Sequence, residues 1–460
     1  MGESEETDQQ DDSARSDEAM LSSTAHMRAV HGRTLWSVAE IPTSGVIVGR
    51  ANGTPGVDLV LDDRRMSRRH IRIEAGALGW HLVDIDSRNG GFVDGRAFAP
   101  GARVILVDGA VIRIGDSLLV FRASALAPPD EDDRMFPGDS SLAVVVRGQL
   151  RRLAATTGHV LIHGETGTGK ERAALFVGTT GAPHPFIAVN CAELTRDLAR
   201  SELFGHVRGA FSGAHVAKGG LVEAAGSGVL FLDEVGELPL DVQGDLLRFL
   251  EDGHSRPIGS TELRRSSARV IAATNVDLDD AVRTGRFRRD LLARLRASNA
   301  PVELPPLRRR REDILGWARR FAREADASHP DMSFTAGAAE CLLLYPWLEN
   351  LRELRGLVRS LIAEQPSEPI SSERLPAHLR THRKALRDDG NQTKTGSAPA
   401  TKEPTREEIE TALQETDGKM RTAAQLLHID RRKLYRLCER YGIDLDGHRR
   451  GERNGRSTDA

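Results

Sequence analysis

The stretch Val160-Leu-Ile-His-Gly-Glu-Thr-Gly-Thr-Gly-Lys170 indicates the architecture of the middle of the chain. Val160 to His163 have the apolar character of a buried strand, and the seven residues that follow fit the pattern G-x-x-x-x-G-K. The glycines let backbone N–H groups surround a phosphate, and Lys170 adds a positive charge. The pattern is specific where a strand precedes it and helical spacing follows, as here. We therefore predict an α/β nucleotide-binding domain; an ordinary glycine-rich turn is the alternative.

The residues expected to contact the nucleotide are those of this turn and the start of the following helix. They are Gly164, Glu165, Thr166, Gly167, Thr168, Gly169, Lys170 and Glu171. Glu171 departs from the usual pattern, which has Ser or Thr at that position. The expected cofactors are ATP and Mg²⁺.

Two carboxylates follow a second strand, Gly228-Val-Leu-Phe-Leu232. Because the carboxyl ends of parallel strands meet at one edge of a sheet, Asp233 and Glu234 should lie beside the nucleotide. Asp233 is expected to hold Mg²⁺ and Glu234 to polarise the attacking water. An acidic strand end that caps a helix is the alternative. Asn275 ends the next strand and could touch the γ-phosphate, although Asn is equally common in turns.

Composition places the chain among globular proteins, since 39% of its 460 residues are hydrophobic and 28% are charged. This length suggests roughly three domains. No run approaches the ~20 apolar residues of a membrane span, and the N-terminus is acidic rather than signal-like, so we expect no membrane association and a cytoplasmic location. Cys191, Cys341 and Cys438 are too widely spaced for a disulfide framework.

Changes in residue pattern predict a multidomain protein with an all-β part, an α/β part and an all-α part. The predicted segments are an acidic disordered tail (1–33), an all-β sandwich (34–122), a linker (123–135), an α/β domain that ends in helices (136–364, with a lid at about 306–380), a polar linker (381–404), a compact helical domain (405–445) and a polar tail (446–460).

Several longer motifs in the α/β segment are specific to one family. Besides 164–171 they are Asn190-Cys-Ala192, Ser201-Glu-Leu-Phe-Gly-His206, Gly209-Ala-Phe-Ser-Gly-Ala214, Leu230-Phe-Leu-Asp-Glu234, Ala272-Ala-Thr-Asn275 and Phe287-Arg-Arg-Asp-Leu291. With these motifs, residues 136–364 resemble the AAA+ domain of bacterial enhancer-binding proteins, the activators of sigma-54 RNA polymerase. In that family Glu follows the P-loop Lys, which accounts for Glu171.

The resemblance implies roles for further residues. Asn190 would restrain Glu234 until the γ-phosphate is sensed, and Arg352 would sense the bound nucleotide. Arg288 and Arg294 would reach into a neighbouring subunit's nucleotide as arginine fingers, which implies a homo-oligomeric ring, expected to be a hexamer. The basic run around these two residues could instead be a solvated or subunit-contact surface.

A glycine-flanked loop would contact sigma-54 by the same resemblance, and a simple surface turn is the alternative. Its residues are Gly209, Ala210, Phe211, Ser212, Gly213 and Ala214. Phe211 would be its apolar tip. Ser212 replaces the Thr usual in the family, and Trp347-Leu-Glu-Asn350 replaces Trp-Pro-Gly-Asn before Arg352.

The loops of the all-β segment carry Gly49-Arg50, Ser67-Arg-Arg-His70 and Asp86-Ser-Arg-Asn-Gly90. These resemble the forkhead-associated (FHA) domain, which binds phosphothreonine peptides. By the resemblance, Arg50, Ser67 and Arg68 would engage the phosphate, Asn89 would position the peptide backbone and His70 would brace the loop. The partner would be a phosphothreonine-containing protein, such as a Ser/Thr kinase or the protein itself. Gly91 stands where the family commonly has Thr, and loops that only pack the sandwich are the alternative.

The helical tail places cations at the start of its third predicted helix, namely Arg431, Arg432, Lys433 and Arg436. This pattern resembles the Fis-type helix-turn-helix, in which such residues contact DNA. The turn Gly of that motif is His428 here. A three-helix bundle without DNA contact is the alternative.

Together the resemblances imply a sigma-54-dependent activator that binds enhancer DNA, hydrolyses ATP and remodels the closed complex of sigma-54 RNA polymerase holoenzyme, under the control of phosphothreonine binding. A hydrolysis-deficient, DNA-bound scaffold that reads phosphothreonine is the alternative. The residues that weigh against it are the intact Lys170, Asp233, Glu234, Arg288 and Arg294. An AAA+ unfoldase that serves a protease is a third interpretation.

Overall fold

The computed structural model describes residues 24–50, 56–76, 79–85, 87–128, 136–180, 185–326, 332–364 and 369–395, and single positions between 406 and 443. The chain divides into two compact units, Met1–Arg387 and Asp388–Ala460. Each unit is described by itself. Within the described residues, no helix combines the length and the apolar character that crossing a bilayer requires.

A two-layer β-sandwich forms the N-terminal part of the first unit. Its strands are β1 (Ala25–His31), β2 (Val38–Ile41), β3 (Val46–Arg50), β4 (Leu59–Leu61), β5 (Ile71–Gly76), β6 (Gly79–Asp84), β7 (Gly91–Val93), β8 (Arg96–Phe98), β9 (Arg103–Leu106), β10 (Val111–Ile114) and β11 (Ser117–Arg122). One sheet has the order β2-β1-β11-β10-β7-β8 and the other β4-β3-β5-β6-β9. Alternate apolar residues, such as Ile71 and Ile73, fill the space between the sheets. The all-β fold is confirmed.

Strand β1 corrects the predicted start of this domain at residue 34. It pairs with both β2 and β11, so residues 25–31 are not part of a disordered tail. Met27 and Ala29 lie in the core of the sandwich, and Val30 is buried on the opposite face. Residues 25–29 alternate apolar and polar side chains, as strand residues do, but the prediction did not use this short signal beside the acidic N-terminus.

An α/β domain follows the sandwich. Its strands are β12 (Val160–His163), β13 (Phe186–Asn190), β14 (Gly205–His206), β15 (Lys218–Gly219), β16 (Val229–Asp233), β17 (His254–Ser255), β18 (Arg264–Arg265), β19 (Arg269–Thr274) and β20 (Val302–Glu303). Its helices are α1 (Ser141–Ala154), α2 (Lys170–Thr179), α3 (Arg196–Phe204), α4 (Leu221–Ala225), α5 (Leu240–Asp252), α6 (Leu278–Arg283) and α7 (Arg289–Ala297).

The central sheet of this domain is parallel, with the order β13-β16-β19-β12-β20. Strand β12, which leads into the phosphate-binding turn, lies beside β19, and β16 is the next strand. The carboxyl ends of these three strands therefore meet at one edge of the sheet, as the sequence predicts. Helix α2, which begins at Lys170, ends at Thr179.

Helices form the last part of the first unit, and the last of these helices extends past the end of the unit at Arg387. They are α8 (Arg311–Ala325), α9 (Ala336–Leu344), α10 (Asn350–Ala363) and α11 (Ala377–Thr395). Helix α11 runs through much of the segment predicted as a linker, 381–404, and corrects that prediction. Its side chains are mostly polar, with Leu379 buried and Leu386 partly buried, so its composition resembles that of a linker.

The sandwich packs directly on these helices. The apolar side chains Val30, Val111, Leu118 and Val120 join one core with residues of α8 and α9. Ion pairs surround this core. Arg122 pairs with Glu312, Arg113 with Glu340, and Arg311 with Asp94. Within the described residues, the sandwich and the helices therefore share one core and a set of ion pairs.

After the end of α11 at Thr395, the second unit is described at single positions. Ile409, Leu413, Leu434, Leu437 and Cys438 form a small apolar core. The predicted DNA-binding residues Arg431, Arg432, Lys433 and Arg436 lie outside the described residues.

Candidate functional site

The glycine-rich turn between β12 and α2 has the geometry of a phosphate-binding loop. Gly167 and Gly169 have φ angles of 76° and 105°, which glycine adopts easily and other residues rarely do. Thr168 Oγ1 donates to the carbonyl oxygen of Glu165 at 2.7 Å and closes the turn. Lys170 begins α2 and is buried, and its Nζ donates to the carbonyl oxygen of Gly164 at 3.0 Å. The lysine charge is thus fixed inside the loop.

Residues from three strand ends meet at this loop. Lys170 Nζ lies 3.2 Å from Glu234 Oε1, after β16. The backbone N–H of Asn275, after β19, donates to Glu234 Oε2 at 3.0 Å, and its side-chain Nδ2 donates to Thr166 Oγ1 at 3.1 Å. The structure therefore brings together Lys170, Thr166, Glu234 and Asn275, four of the residues predicted for the site.

Glu234 has a φ angle of 50°, in the left-handed region that non-glycine residues rarely occupy. Such strain, about 1–3 kcal/mol, persists where the surroundings impose it and is often found at functional sites. The backbone N–H of Glu234 donates to Asp233 Oδ1 at 3.1 Å. Burial, and then the charge of Glu234, raise the pKa of Asp233 above its usual value.

The carboxylate of Asp233 fits a cation. Its raised pKa reports a negative charge that burial and a neighbouring carboxylate disfavour, and a metal ion would compensate that charge. No cluster of three or more His, Cys, Asp or Glu side chains suited to a metal occurs among the described residues. A single carboxylate matches Mg²⁺ at nucleotide sites, where water and phosphate supply most ligands.

The three other side chains predicted for catalysis do not join this cluster. Asn190 Nδ2 donates to Glu193 Oε1 at 2.8 Å, so the predicted restraint on Glu234 is not made in this structure. Arg294 donates through Nε and Nη2 to the carbonyl oxygen of Leu250. Arg288 is exposed and pairs with Asp290 at 2.7 Å. An exposed arginine outside its own chain's site is compatible with contact to another subunit.

The start of α10 lies against the phosphate-binding loop. Asn350 is fully buried, and its Nδ2 donates to the carbonyl oxygen of Thr166 at 2.9 Å and to Glu165 Oε2 at 3.2 Å. Its Oδ1 accepts from the backbone N–H of Leu307 at 2.7 Å. A Cβ at Gly167 would lie 2.1 Å from the carbonyl oxygen of Glu349, so only glycine fits there. Asn350 therefore ties the loop to the helices that follow.

Arg352 and Arg308 also belong to this contact. An added Cβ at Gly167 would lie 3.3 Å from the Cβ of Arg352, so the predicted nucleotide sensor starts beside the loop. Arg308 pairs with Glu165 through both Nη atoms, at 2.7 and 2.5 Å, and this pair lowers the pKa of Glu165. Sequence analysis missed Arg308 and the role of Asn350. The available signal was the basic run from Arg308 to Arg311, which follows Leu307.

The loop predicted to contact sigma-54 projects from the short ribbon of β14 and β15. The backbone N–H of Gly209 donates to the carbonyl oxygen of Ala214 at 2.8 Å, and that of Ala214 donates to Phe211 at 3.0 Å. The Phe211 ring packs against His206 at 5.0 Å between centroids and is 41% exposed. Val216, at the base of the same loop, is 75% exposed. The loop thus presents apolar side chains to solvent.

The phosphothreonine-binding residues predicted in the sandwich lie on three converging loops. The backbone N–H of Arg50 donates to the carbonyl oxygen of Ser67 at 3.0 Å, and Ser67 Oγ accepts from the N–H of Arg88 at 3.2 Å. His70 is buried and braces these loops as expected. Its Nδ1 accepts from the N–H of Ser67 at 3.1 Å, and its Nε2 donates to the carbonyl oxygen of Gly90 at 3.0 Å.

The exposed residues of these loops are polar or cationic. The side chains of Arg68 and Asn89 are exposed, and that of Arg50 is partly exposed. A phosphate placed between the loops could therefore be reached by guanidinium groups and a hydroxyl. Arg50 Nη1 at present donates weakly, at 3.4 Å, to the carbonyl oxygen of Arg64.

Comparison with known proteins identifies the domains. The family model of the Sigma-54 interaction domain matches residues 137–300, that of the FHA domain residues 46–115 and that of the AAA+ ATPase lid domain residues 308–392. The nitric oxide reductase transcription regulator NorR1 of Cupriavidus necator is 38% identical over 391 residues, which cover 79% of this chain and 76% of that protein. The chain belongs to the sigma-54 activator family of transcription regulators. This sigma-54 activator is an AAA+ ATPase, and its family binds ATP.

Other relatives match shorter parts of this activator. NtrC of Rhizobium meliloti is 41% identical over 263 residues, which cover 56% of this chain and 54% of that protein. Among solved structures, NtrX from Brucella abortus in complex with ATP is 28% identical and covers 66% of this chain and 69% of that chain, with a TM-score of 0.48. An FHA domain of an Arabidopsis thaliana protein is 26% identical and covers 25% of this chain and 94% of its own, with a TM-score of 0.22.

Proposed function

We propose that this activator binds DNA upstream of sigma-54 promoters, assembles into a ring and uses the hydrolysis of MgATP to remodel the closed complex of sigma-54 RNA polymerase. Phosphothreonine binding at its FHA domain regulates this activity. The observation that carries the proposal is the cluster of Lys170, Glu234, Thr166 and Asn275 at the end of the central strands. A scaffold that had lost hydrolysis would have no need to keep Glu234 strained and held at both oxygens.

The cluster assigns a task to each residue. Lys170 binds the β- and γ-phosphates, and Thr166 and Asn275 place polar groups at the γ-phosphate. Glu234 orients and polarises the attacking water. Asp233 would hold Mg²⁺, which neutralises phosphate charge when bound. Asn190 lies beside Asp233 in the pairing of β13 with β16, within the same strand edge, where it would report on the γ-phosphate.

The ring follows from the position of the arginines. Arg288 is exposed and stands at the start of α7, so its reach is outward rather than toward its own loop. Arg288 would then place its guanidinium at the nucleotide of a neighbouring chain. An arginine finger of this kind accelerates phosphoryl transfer by about 10³–10⁵. Arg294 would act on the same neighbouring nucleotide once its hydrogen bonds to the carbonyl oxygen of Leu250 are broken. We propose a hexamer as the working assembly.

The polymerase contact is assigned to the loop of Gly209 to Ala214. Exposed apolar side chains on a projecting loop mark a surface that another protein covers. Phe211 would dock on sigma-54, and the positive φ angles of Gly209 and Gly213 allow its ends to pivot. Ser212 retains the hydroxyl of the usual Thr.

Two binding functions complete the proposal. Arg50, Ser67, Arg68 and Asn89 would bind a phosphothreonine-containing protein, and the residues around Arg431 to Arg436 would bind enhancer DNA. The first is supported by three loops that converge on Ser67. The second is supported by the basic sequence of the tail alone.

The test is transcription in vitro from a sigma-54 promoter with purified polymerase, ATP and four proteins: wild type, Glu234→Gln, Phe211→Ala and the matched control Val145→Ala. Val145 is 52% exposed on α1, so its replacement alters an exposed apolar residue outside the loop. We expect transcripts with wild type and Val145→Ala only. Phe211→Ala should still hydrolyse ATP.

The other interpretations give different results. Wild type that consumes ATP but makes no transcript would support an unfoldase. Wild type that consumes no ATP would support a scaffold. Equal transcription with Phe211→Ala and wild type would remove the loop from the proposal.

A further inference from the structure

The first turn of α8 contacts three parts of the molecule. Arg311 and Glu312 face the FHA domain, Arg310 faces the phosphate-binding loop, and Asp313 faces the segment before α1. These four consecutive residues are defined here as the junction turn. Arg310, Glu312 and Asp313 are at most 2% exposed, so the contacts are made out of water.

On the FHA side, the central contact is a two-pronged ion pair. Arg122, the last residue of β11, donates through Nε and Nη2 to the two oxygens of Glu312, each at 2.5 Å, and Nη2 also donates to the carbonyl oxygen of Arg309 at 2.6 Å. Burial alone would lower the pKa of Arg122, but its contacts with Glu312 and Asp108 raise it. Removal of one partner of such a pair leaves a buried charge without compensation.

On the nucleotide side, Arg310 is fully buried against the loop. Its Nη2 donates to the carbonyl oxygen of Thr168 at 3.3 Å, and its guanidinium lies 5.0 Å above the Phe136 ring. Its Nε and Nη1 have no hydrogen-bond partner among the described residues. A buried cation with so few partners is tolerated only where the ring, the carbonyl oxygen and Asp313 all remain in place. The junction turn therefore has little freedom to shift without moving Thr168.

Asp313 fixes the third side. Its Oδ1 accepts from the N–H groups of Asp139 and Ser140 at 2.7 and 2.8 Å, and its Oδ2 accepts from Ser140 Oγ at 2.7 Å. These bonds hold the segment that carries Phe136 against Arg310. Burial raises the pKa of Asp313 to about 6.

We propose that the junction turn couples the FHA domain to the nucleotide site of its own chain, with Arg310 as a positioning residue for the phosphate-binding loop and Arg122 as the residue that holds the turn in place. Docking of the FHA domain then strengthens nucleotide binding. By linkage, bound nucleotide stabilises the docked FHA domain by the same factor. The inference does not depend on phosphothreonine binding, and it holds for any ligand that shifts the FHA domain.

The test measures the affinity of the full chain for a fluorescent ADP, so that no hydrolysis occurs. We expect Arg122→Gln and Glu312→Gln each to raise the Kd at least fivefold, within the usual range of couplings between sites. Because both act through one contact, the double variant should be no more than twofold weaker than the weaker single variant.

The matched control is Arg113→Gln, which removes a different ion pair between the FHA domain and the helices. Its partner Glu340 keeps Arg383 and Arg387, each at 3.0 Å, so this contact survives its loss in part. We expect a Kd within twofold of wild type. Thermal unfolding of each variant shows whether it is folded, and Glu312→Gln serves alone if Arg122→Gln is not.

Two results would overturn the inference. One is a Kd for folded Arg122→Gln or Glu312→Gln within twofold of wild type. The other is an equal rise for Arg113→Gln, which would mean that FHA docking as a whole, and not the junction turn, affects the nucleotide. If the wild-type chain bound no phosphothreonine peptide, the proposed regulation would be contradicted. The inference about the junction turn would be unaffected.

Discussion

Lys170 Nζ lies between Glu234 Oε1, at 3.2 Å, and the carbonyl oxygen of Gly164, at 3.0 Å. The group expected to bind phosphate is thus paired with the group expected to activate water. A phosphate would compete for the ammonium, because charge-assisted contacts to its oxygens are stronger than one contact at the edge of hydrogen-bonding distance. Glu234 would therefore be released from Lys170, and become free to activate water, only when a nucleotide is bound.

The first prediction concerns Glu234→Gln. The amide keeps the shape of the side chain and can still accept from Asn275, so nucleotide should bind with a Kd within about threefold of wild type. Hydrolysis should fall by about 10²–10⁴, the usual contribution of a positioned base. A phosphate-release assay and a fluorescent ADP titration measure the two quantities. Glu237→Gln, an exposed residue in the next turn, is the control and should retain activity. If Glu234→Gln hydrolysed ATP at the wild-type rate, Glu234 could not be the residue that activates the attacking water.

The second prediction separates the side chain of Asn350 from its backbone. Asn350 has a φ angle of 53°, which glycine adopts freely, so Asn350→Gly removes the hydrogen bonds without adding strain. Loss of the bonds to Thr166 and Glu165 should raise the Kd for fluorescent ADP by up to about thirtyfold, at about 1 kcal/mol for each of the two bonds. Asn299→Ala removes a similar bond, to the carbonyl oxygen of His159, and should leave the Kd unchanged. Equal affinities of Asn350→Gly and wild type would contradict the positioning role.

The third prediction concerns the close approach of β3 to the loop that carries Ser67. A Cβ at Gly49 would lie 1.9 Å from the carbonyl oxygen of Arg68, so the backbone itself must move. Gly49→Ala should lower the free energy of unfolding by at least about 2 kcal/mol, as overpacking does, and abolish phosphothreonine peptide binding. Gly356→Ala on α10, where a Cβ would meet nothing within 4 Å, should raise stability by up to about 1 kcal/mol. Denaturant unfolding and calorimetry test both variants.

The fourth prediction is a pH dependence that arises from His70. Burial lowers its pKa below 6.5, while Gly90, Asp84 and Asp63 act in the opposite direction. The folded state disfavours the protonated ring. The contribution of His70 to the free energy of unfolding is therefore fully present above pH 6.5. It is lost as the pH falls from 6.5 through the lower folded-state pKa, by up to about 1.4 kcal/mol per pH unit.

His70→Gln isolates that contribution, because other titrating groups cancel in the comparison. Between pH 7.5 and pH 5.5, wild type should lose more of its free energy of unfolding than His70→Gln. Urea unfolding at these two pH values gives the difference. A greater loss in His70→Gln would show that the ring is protonated in the folded protein.

Local patterns in the sequence were sufficient for the nucleotide site. Strand-like runs placed Lys170, Glu234 and Asn275 after parallel strands, and the geometry of such a sheet brings strand ends together. The same reasoning could not reveal Arg310, because its burial depends on how α8 packs against Phe136 and the loop. Strand β1 and helix α11 were missed for different reasons. Strand β1 alternates apolar and polar residues over only five positions next to an acidic segment, and α11 is polar almost throughout.

The contact between the FHA domain and the helices was also beyond local patterns. Arg122 and Glu312 lie far apart in the sequence, and each reads alone as an exposed charge. Only the packing of β11 on α8 makes them a buried pair. The ion pair of Arg122 and Glu312 therefore could not be predicted from sequence patterns alone.

ATP turnover per chain, measured over a wide range of protein concentration with and without enhancer DNA, tests the central claim most directly. The account predicts turnover that rises steeply with concentration as chains assemble, and almost none for Arg288→Ala at any concentration, because each site needs its neighbour's arginine. Turnover that is independent of concentration and equal in Arg288→Ala, or no turnover under any condition, would contradict it.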